Sequence, residues 1–204
     1  MSNIPQTICL LFGILTVAIG CTSPIHAKTR QRYYEAGEAE ERSGDLALAR
    51  QYYYRSFVNA QLGHLGPGAE AYSVYEWTRV SGYLGKREDA EGGFPRVLEL
   101  IKQAKGQADQ LKAPALCEFA RYLHDTGQHE RAVPVYRDAL VALDTTGVEK
   151  LDPVGFAVFL AENAESLKRA GFPTDADVLL NRSNALKSAH PGVSPKQAIR
   201  RYPN

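Results

Sequence analysis

The chain has 204 residues, 24 Lys and Arg against 23 Asp and Glu, and a formal net charge of +1, which excludes the strong basic excess of a nucleic-acid binder. Hydrophobic residues make up 44%, enough to fill a core and too many for a disordered acidic tail. The three cysteines, Cys9, Cys21 and Cys117, form no CxxC, so neither a disulfide scaffold nor a zinc ribbon is expected.

Ile8 to Gly20 is an uncharged apolar run, ICLLFGILTVAIG. A membrane span takes about 20 residues, so this run is short for one. It has the length of a signal-peptide apolar region. It ends in Ala18-Ile19-Gly20-Cys21, followed by Thr-Ser-Pro. This stretch resembles the lipobox of bacterial lipoprotein signal peptides. The resemblance implies cleavage before Cys21, a diacyl chain on its sulfur and a third acyl group on its amine. Thr22 is not Asp, which in that family implies transport to the outer membrane. Acylation of this kind suffices for stable anchoring. An ordinary cleaved signal peptide and an uncleaved apolar N-terminus are the alternatives. Residues 21–32 then read as a tether between lipid and fold.

The rest of the chain repeats. Gly44, Gly85, Gly127 and Gly171 recur at intervals of 41, 42 and 44. Five residues after each comes Ala49, Ala90, Ala132 or Ala176, and four beyond that Tyr53, Phe94, Tyr136 or Leu180. The pattern reads as a helical hairpin. Glycine lets the chain leave the first helix in a left-handed conformation. Alanine lets two helices cross closely. The aromatic or Leu one turn later fills the space between neighbouring hairpins. This pattern resembles the tetratricopeptide repeat, best in the third copy, where Leu116, Phe119, Ala120, Leu123, Gly127, Ala132, Tyr136 and Ala139 stand at the signature positions. The usual period is 34; the longer one resembles the subtype found in kinesin light chains. The expected fold is all-α, an α-solenoid of about four hairpins over 33–187. In the second copy, Gly92, Gly93 and Pro95 predict a second helix that starts late, near Pro95, or is kinked. Asp152-Pro153 predicts the N-cap and first residue of the fourth hairpin. Ser194-Pro195-Lys196-Gln197 predicts a short helix to about Arg201, within a capping segment at 188–204 that covers the end of the array.

In the tetratricopeptide family the first helix of each repeat lines a groove. The resemblance places Tyr34 there from the first copy, Tyr72, Tyr75, Arg79 and Tyr83 from the second, Arg121 and His124 from the third, and Lys168 from the fourth. Tyr and Arg dominate interface hot spots. The expected ligand is a protein segment of acidic or C-terminal carboxylate character, with no cofactor, small-molecule substrate or nucleic acid.

Catalytic patterns are absent from the sequence: there is no GxSxG, HExxH or P-loop. His124 and His129 are five apart across the Gly127 turn, so no metal site is expected. Cys117 and His124 stand about two turns apart, so the thiol is expected to be packed or groove-lining. Glu35, Glu38, Glu40 and Glu41 read as a solvated helix face. The combined expectation is a scaffold or adaptor lipoprotein facing the periplasm from the outer membrane, binding an envelope protein. A soluble secreted or cytosolic repeat adaptor, or an enzyme such as a cell-wall hydrolase, are the alternatives.

Overall fold

The computed structural model describes residues 23–196 and 199–203. Cys21, the residue expected to carry lipid, and the apolar run before it lie outside the described residues. Among the described residues are nine α-helices and no strand. Eight of the helices form consecutive hairpin-like pairs: α1 (Pro24–Ser43) with α2 (Leu46–Leu62), α3 (Gly66–Tyr83) with α4 (Arg87–Gln103), α5 (Lys112–Asp125) with α6 (His129–Asp144), and α8 (Pro153–Arg169) with α9 (Pro173–Ala189). A 3-10 turn (Asp109–Leu111) and the one-turn helix α7 (Val148–Leu151) connect later pairs.

The four repeat glycines make the four hairpin turns. Their φ values are 92° at Gly44, 70° at Gly85, 74° at Gly127 and 89° at Gly171, a region that glycine enters without steric cost. The residue after each glycine returns its amide to the carbonyl five residues back: Asp45 to Glu40, Lys86 to Ser81, Gln128 to Leu123 and Phe172 to Leu167, all at 2.8–2.9 Å. This is the Schellman arrangement, which satisfies carbonyls that a helix end leaves free. The side chain of Asp45 accepts from the Leu48 amide, and that of Asp152 from the Gly155 amide, each at 2.9 Å. Both therefore cap the helix that follows.

The alanines do what their spacing predicts. Ala49, Ala90, Ala132 and Ala176 are all buried. The aromatics behind them reach the next hairpin. The Phe94 ring lies 5.2 Å from that of Phe119 and 5.6 Å from that of Tyr122, and Tyr136 lies 5.1 Å from Phe159. Each such buried side chain contributes about 1.5–3 kcal/mol. Leu180, the fourth of the set, is 42% exposed; among the described residues no further hairpin packs against it.

Three expectations need correction. The tether predicted at 21–32 is helix from Pro24 onward. Its first turns are held against the end of α2: the Ser23 amide donates to the Gly63 carbonyl (3.1 Å), and His26 Nδ1 bonds Asn59 Oδ1 (3.0 Å). The repeat array therefore begins nine residues before the predicted boundary. Helix α4 does not start late. It begins at Arg87, with Glu88 and Asp89 in its first turn, and carries Pro95 inside it. Packing overrides propensity here: a β-carbon on Gly93 would stand 2.1 Å from Thr78 Oγ1, so the glycine is what lets α4 close onto α3. Finally, the capping helix after Ser194 is missing, since 193–196 and 199–203 carry no helix. A helix of two turns has too few internal bonds to compete with tertiary contacts. The segment's contacts are instead with Asp152 at the start of α8 and with Glu118 and Asp125 of α5.

Candidate functional groove

The first helices of successive hairpins lie side by side and are cross-linked by polar side chains. Between α1 and α3, Arg79 donates from Nη1 and Nη2 to the two carboxylate oxygens of Glu41, both at 2.7 Å, and from Nε to Glu76 Oε2 at 2.9 Å. The Tyr34 hydroxyl donates to Glu76 (3.4 Å). Between α3 and α5, the Tyr83 hydroxyl donates to Glu118 Oε2 (2.9 Å). Between α5 and α8, Arg121 Nε donates to Glu162 Oε2 (3.2 Å), while its Nη1 donates to Glu118 Oε1 (2.8 Å). Carboxylates and guanidinia thus alternate along one face from α1 to α8.

Burial matters to this ladder. Arg121 is 9% exposed and Glu162 is 4% exposed. Burial works against the charge on Arg79 and Arg121, but the paired glutamates outweigh it and hold both pKa values above the ordinary arginine range. Burial pushes Glu76 and Glu162 the other way, above the usual carboxylate value, against the pull of their arginines. A buried charge of this kind persists only while its partner is in place.

The C-terminal segment lies across this face. The Lys196 amide donates to Asp152 Oδ2 (3.2 Å). Arg201 Nη1 contacts Asp125 Oδ1 (3.1 Å) and Glu162 Oε1 (2.8 Å). The Tyr202 amide donates to Asp125 Oδ2 (2.9 Å), and its hydroxyl to Glu118 Oε2 (2.6 Å). The Tyr202 ring stacks on Tyr83 at 4.5 Å and meets the Tyr122 ring edge-on at 5.3 Å. Arg200 lies over Tyr83, 5.4 Å from the ring centre. On either side of Ile199 the groove stays open. A pocket of about 640 Å³ is lined by Glu38, Glu41, Arg42, Glu76 and Arg79, and one of about 370 Å³ by Tyr75, Cys117, Glu118 and Arg121.

Of the sequence-predicted groove residues, Tyr34, Tyr75, Arg79, Tyr83 and Arg121 come together on this face. Tyr72 does not: it packs against the core of the second hairpin, and its hydroxyl is buried. Lys168 is exposed near the end of α8. His124 turns to Ser166, Nδ1 to Oγ at 2.9 Å. The Gly127 turn, which separates His124 from His129 in sequence, brings their rings to 5.5 Å. Ser166 lies between them, 3.4 Å from His129 Nδ1. Among the described residues, no group of three or more His, Cys, Asp or Glu is arranged to hold a metal ion. Cys117 is half-buried, and burial pushes its thiol up to about 12. Glu41, expected on a solvated face, is paired with Arg79.

The sequence reading missed Glu76, Glu118, Glu162, Arg201 and Tyr202 as groove groups. A signal for the first two was present. Glu-x-x-Arg occurs at Glu76–Arg79 and again at Glu118–Arg121, one repeat later.

No protein-family model matches the chain, and no curated protein matches it in sequence. The fold is similar to the crystal structure of BtubC (BKLC) from P. vanneervenii, with a TM-score of 0.71 and 17% identity over 86% of this chain and 69% of that one. At that identity the likeness shows a shared fold, a repeat-like array of helices, and nothing more. No helix among the described residues is long and apolar enough to cross a membrane.

Proposed function

We propose that this chain is a tetratricopeptide-type scaffold whose inner face binds a polypeptide segment, and that lipid on Cys21 holds it on the periplasmic side of a bacterial outer membrane. Its work is binding, without turnover. One observation carries the reading: a stretch of polypeptide, residues 199–203, already lies across α3, α5 and α8 and is gripped by their side chains. The tetratricopeptide part is supported by four glycine turns near a 42-residue period, each with a buried alanine behind it. The lipid part rests on the Ala18–Cys21 sequence. Helix α1 starts at Pro24, so an acylated Cys21 would keep the first hairpin close to the bilayer and raise the local concentration of other envelope proteins.

The test uses a photo-crosslinking residue in cells, at Arg42 on the inner face and at Tyr54 on the outer side of α2. A discrete adduct from Arg42 and none from Tyr54 is expected. Adducts from Tyr54 alone would refute an inner-face site. Cys21→Ser is expected to move the protein from the membrane fraction to the soluble fraction; continued membrane fractionation would refute the anchor.

A further inference from the structure

The groove is selective in its chemistry. Where the tail crosses, the wall supplies three carboxylates, of which Arg121 pairs with Glu118 and Glu162, while Asp125 pairs with the tail's Arg201. Arg201 of the tail brings the second positive charge, bridging Asp125 and Glu162. One step along, the rings of Tyr83, Tyr122 and Phe94 form a slot that Tyr202 fills to 4% exposure. The slot has a polar floor, since Glu118 receives the Tyr202 hydroxyl. It also has a backbone gap: a β-carbon on Gly82 would stand 2.6 Å from the Tyr202 ring. With the tail lifted out, the walls would keep surplus carboxylate charge in a partly buried place and expose an aromatic slot to water. Both costs fall on the empty groove.

The tail has the features of a ligand more than of a core element. Of 199–203, Tyr202 alone is buried; Arg200, Arg201 and Pro203 are exposed. Residues 190–196, which follow α9, are turns, bends and irregular chain, not a helix. The open volumes beside Ile199 leave room for a second chain to enter. The two guanidinia at the centre of this face, Arg79 and Arg121, are each already held by two glutamates, so neither is left for an acidic ligand.

We infer that, resting on the groove reading above, the partner segment is extended and carries a basic residue immediately followed by tyrosine, and that Arg201-Tyr202 is a self-ligand which it displaces. Arginine fits the Asp125–Glu162 pair through its fork of donors, and tyrosine fits the slot by area and by its hydroxyl. A tethered tail competes at the high effective concentration of an intramolecular group. It therefore sets a threshold that a partner must exceed.

The experiment uses the mature chain, with and without Arg201→Ala and Tyr202→Ala together, and a fluorescent peptide, SPKQAIRRYPN, identical to residues 194–204. The peptide is expected to bind the double variant at least about ten-fold more tightly than the wild type, because the competing tail is gone. The same peptide with Glu for the second Arg and Ala for Tyr is expected not to bind. Circular dichroism checks that the variant stays helical. Should it not, Arg201→Glu alone, which only reverses charge at Asp125 and Glu162, serves the same test. No binding to the opened groove, or equal binding by the altered peptide, would overturn the inference. If an acidic peptide binds the opened groove and the basic one does not, the groove reading survives and this inference fails. If no peptide binds, both fall. Wild-type dimers that vanish in the double variant would also overturn it, since the occupant would then be a second copy.

Discussion

The ring of Tyr202 lies against the backbone of Gly82, so close that a β-carbon there would stand 2.6 Å from its Cε1. The two residues are 120 positions apart in the chain, and the fit depends on the absence of a single methyl group. Gly82 sits inside α3, where alanine would ordinarily stabilise the helix by about 0.5–1 kcal/mol. The opposite is expected here. Gly82→Ala should eject Tyr202, lower the melting temperature and make 199–203 sensitive to protease. Gly92→Ala is the control, because a β-carbon there meets nothing within 4 Å; it should be neutral or mildly stabilising. Equal behaviour of the two variants would contradict the seat.

Arg121 is predicted to matter for stability as well as for binding. It is buried between Glu118 and Glu162. Arg121→Ala leaves Glu118 without a cation and Glu162 with the half-exposed Arg201 alone, and should cost about 3–5 kcal/mol, measured by urea unfolding. Adding Glu162→Gln should recover part of that loss, since an under-compensated charge is removed. Arg182 and Glu149 form an exposed pair between α9 and α7, and breaking it should cost at most about 1 kcal/mol. Similar losses at the two sites would show that the inner ladder is no more than a surface network.

Acid should weaken the fold through the histidine pair. Burial lowers the His124 pKa below its ordinary 6.5, although Asp125 and Glu165 pull the other way. Burial and then the neighbouring His124 lower His129. A lowered folded pKa means that the unfolded chain takes the proton first. Stability is thus intact above pH 6.5 and declines as the pH falls below it. Glu162 has the opposite sign. Its folded pKa is raised by burial, so its contribution is present at low pH and is lost as the pH rises through that value. Urea unfolding at several pH values should therefore show a decline between about pH 7 and 5.5 that flattens in His124→Gln. An unchanged slope in that variant would assign the pH dependence elsewhere.

Cys117 should be a poor nucleophile in the folded protein. The thiolate is the reactive form, and burial pushes this thiol up to about 12. Reaction with a thiol reagent at neutral pH should be slow when folded and fast in denaturant. A rapid native reaction would show that the side chain is open to solvent from the groove.

The hairpins were legible in the sequence because their requirements are local and repeated. A turn needs glycine at Gly44 whatever the rest of the chain does, and a close crossing needs alanine at Ala49. The same physics recurs in every copy, so four weak signals reinforce one another. The start of α1 was not legible in this way, since Pro24 to Arg32 are helical through contacts with the end of α2. Nor was α4, whose two glycines and proline read as breakers until Thr78 is seen to need the space at Gly93. The tail was the least legible part. Ser194-Pro195 looks like a helix start, and nothing nearby reveals that Asp125 and Glu118 compete for the amide and hydroxyl of Tyr202. The groove was half visible: its arginines stood out, whereas the glutamates that occupy them were read as solvated charge or passed over. That omission is what made an acidic partner look suitable.

The central claim is that the inner face grips an extended polypeptide and that residues 199–203 occupy it at rest. Amide hydrogen exchange on the mature chain tests it most directly. The Tyr202 amide, bonded to Asp125, should be protected in the free protein. It should lose protection when the SPKQAIRRYPN peptide is added at saturation, while the amides of α3, α5 and α8 stay protected. A Tyr202 amide that exchanges freely in the resting protein, or one that stays protected after the peptide has bound, would contradict the account.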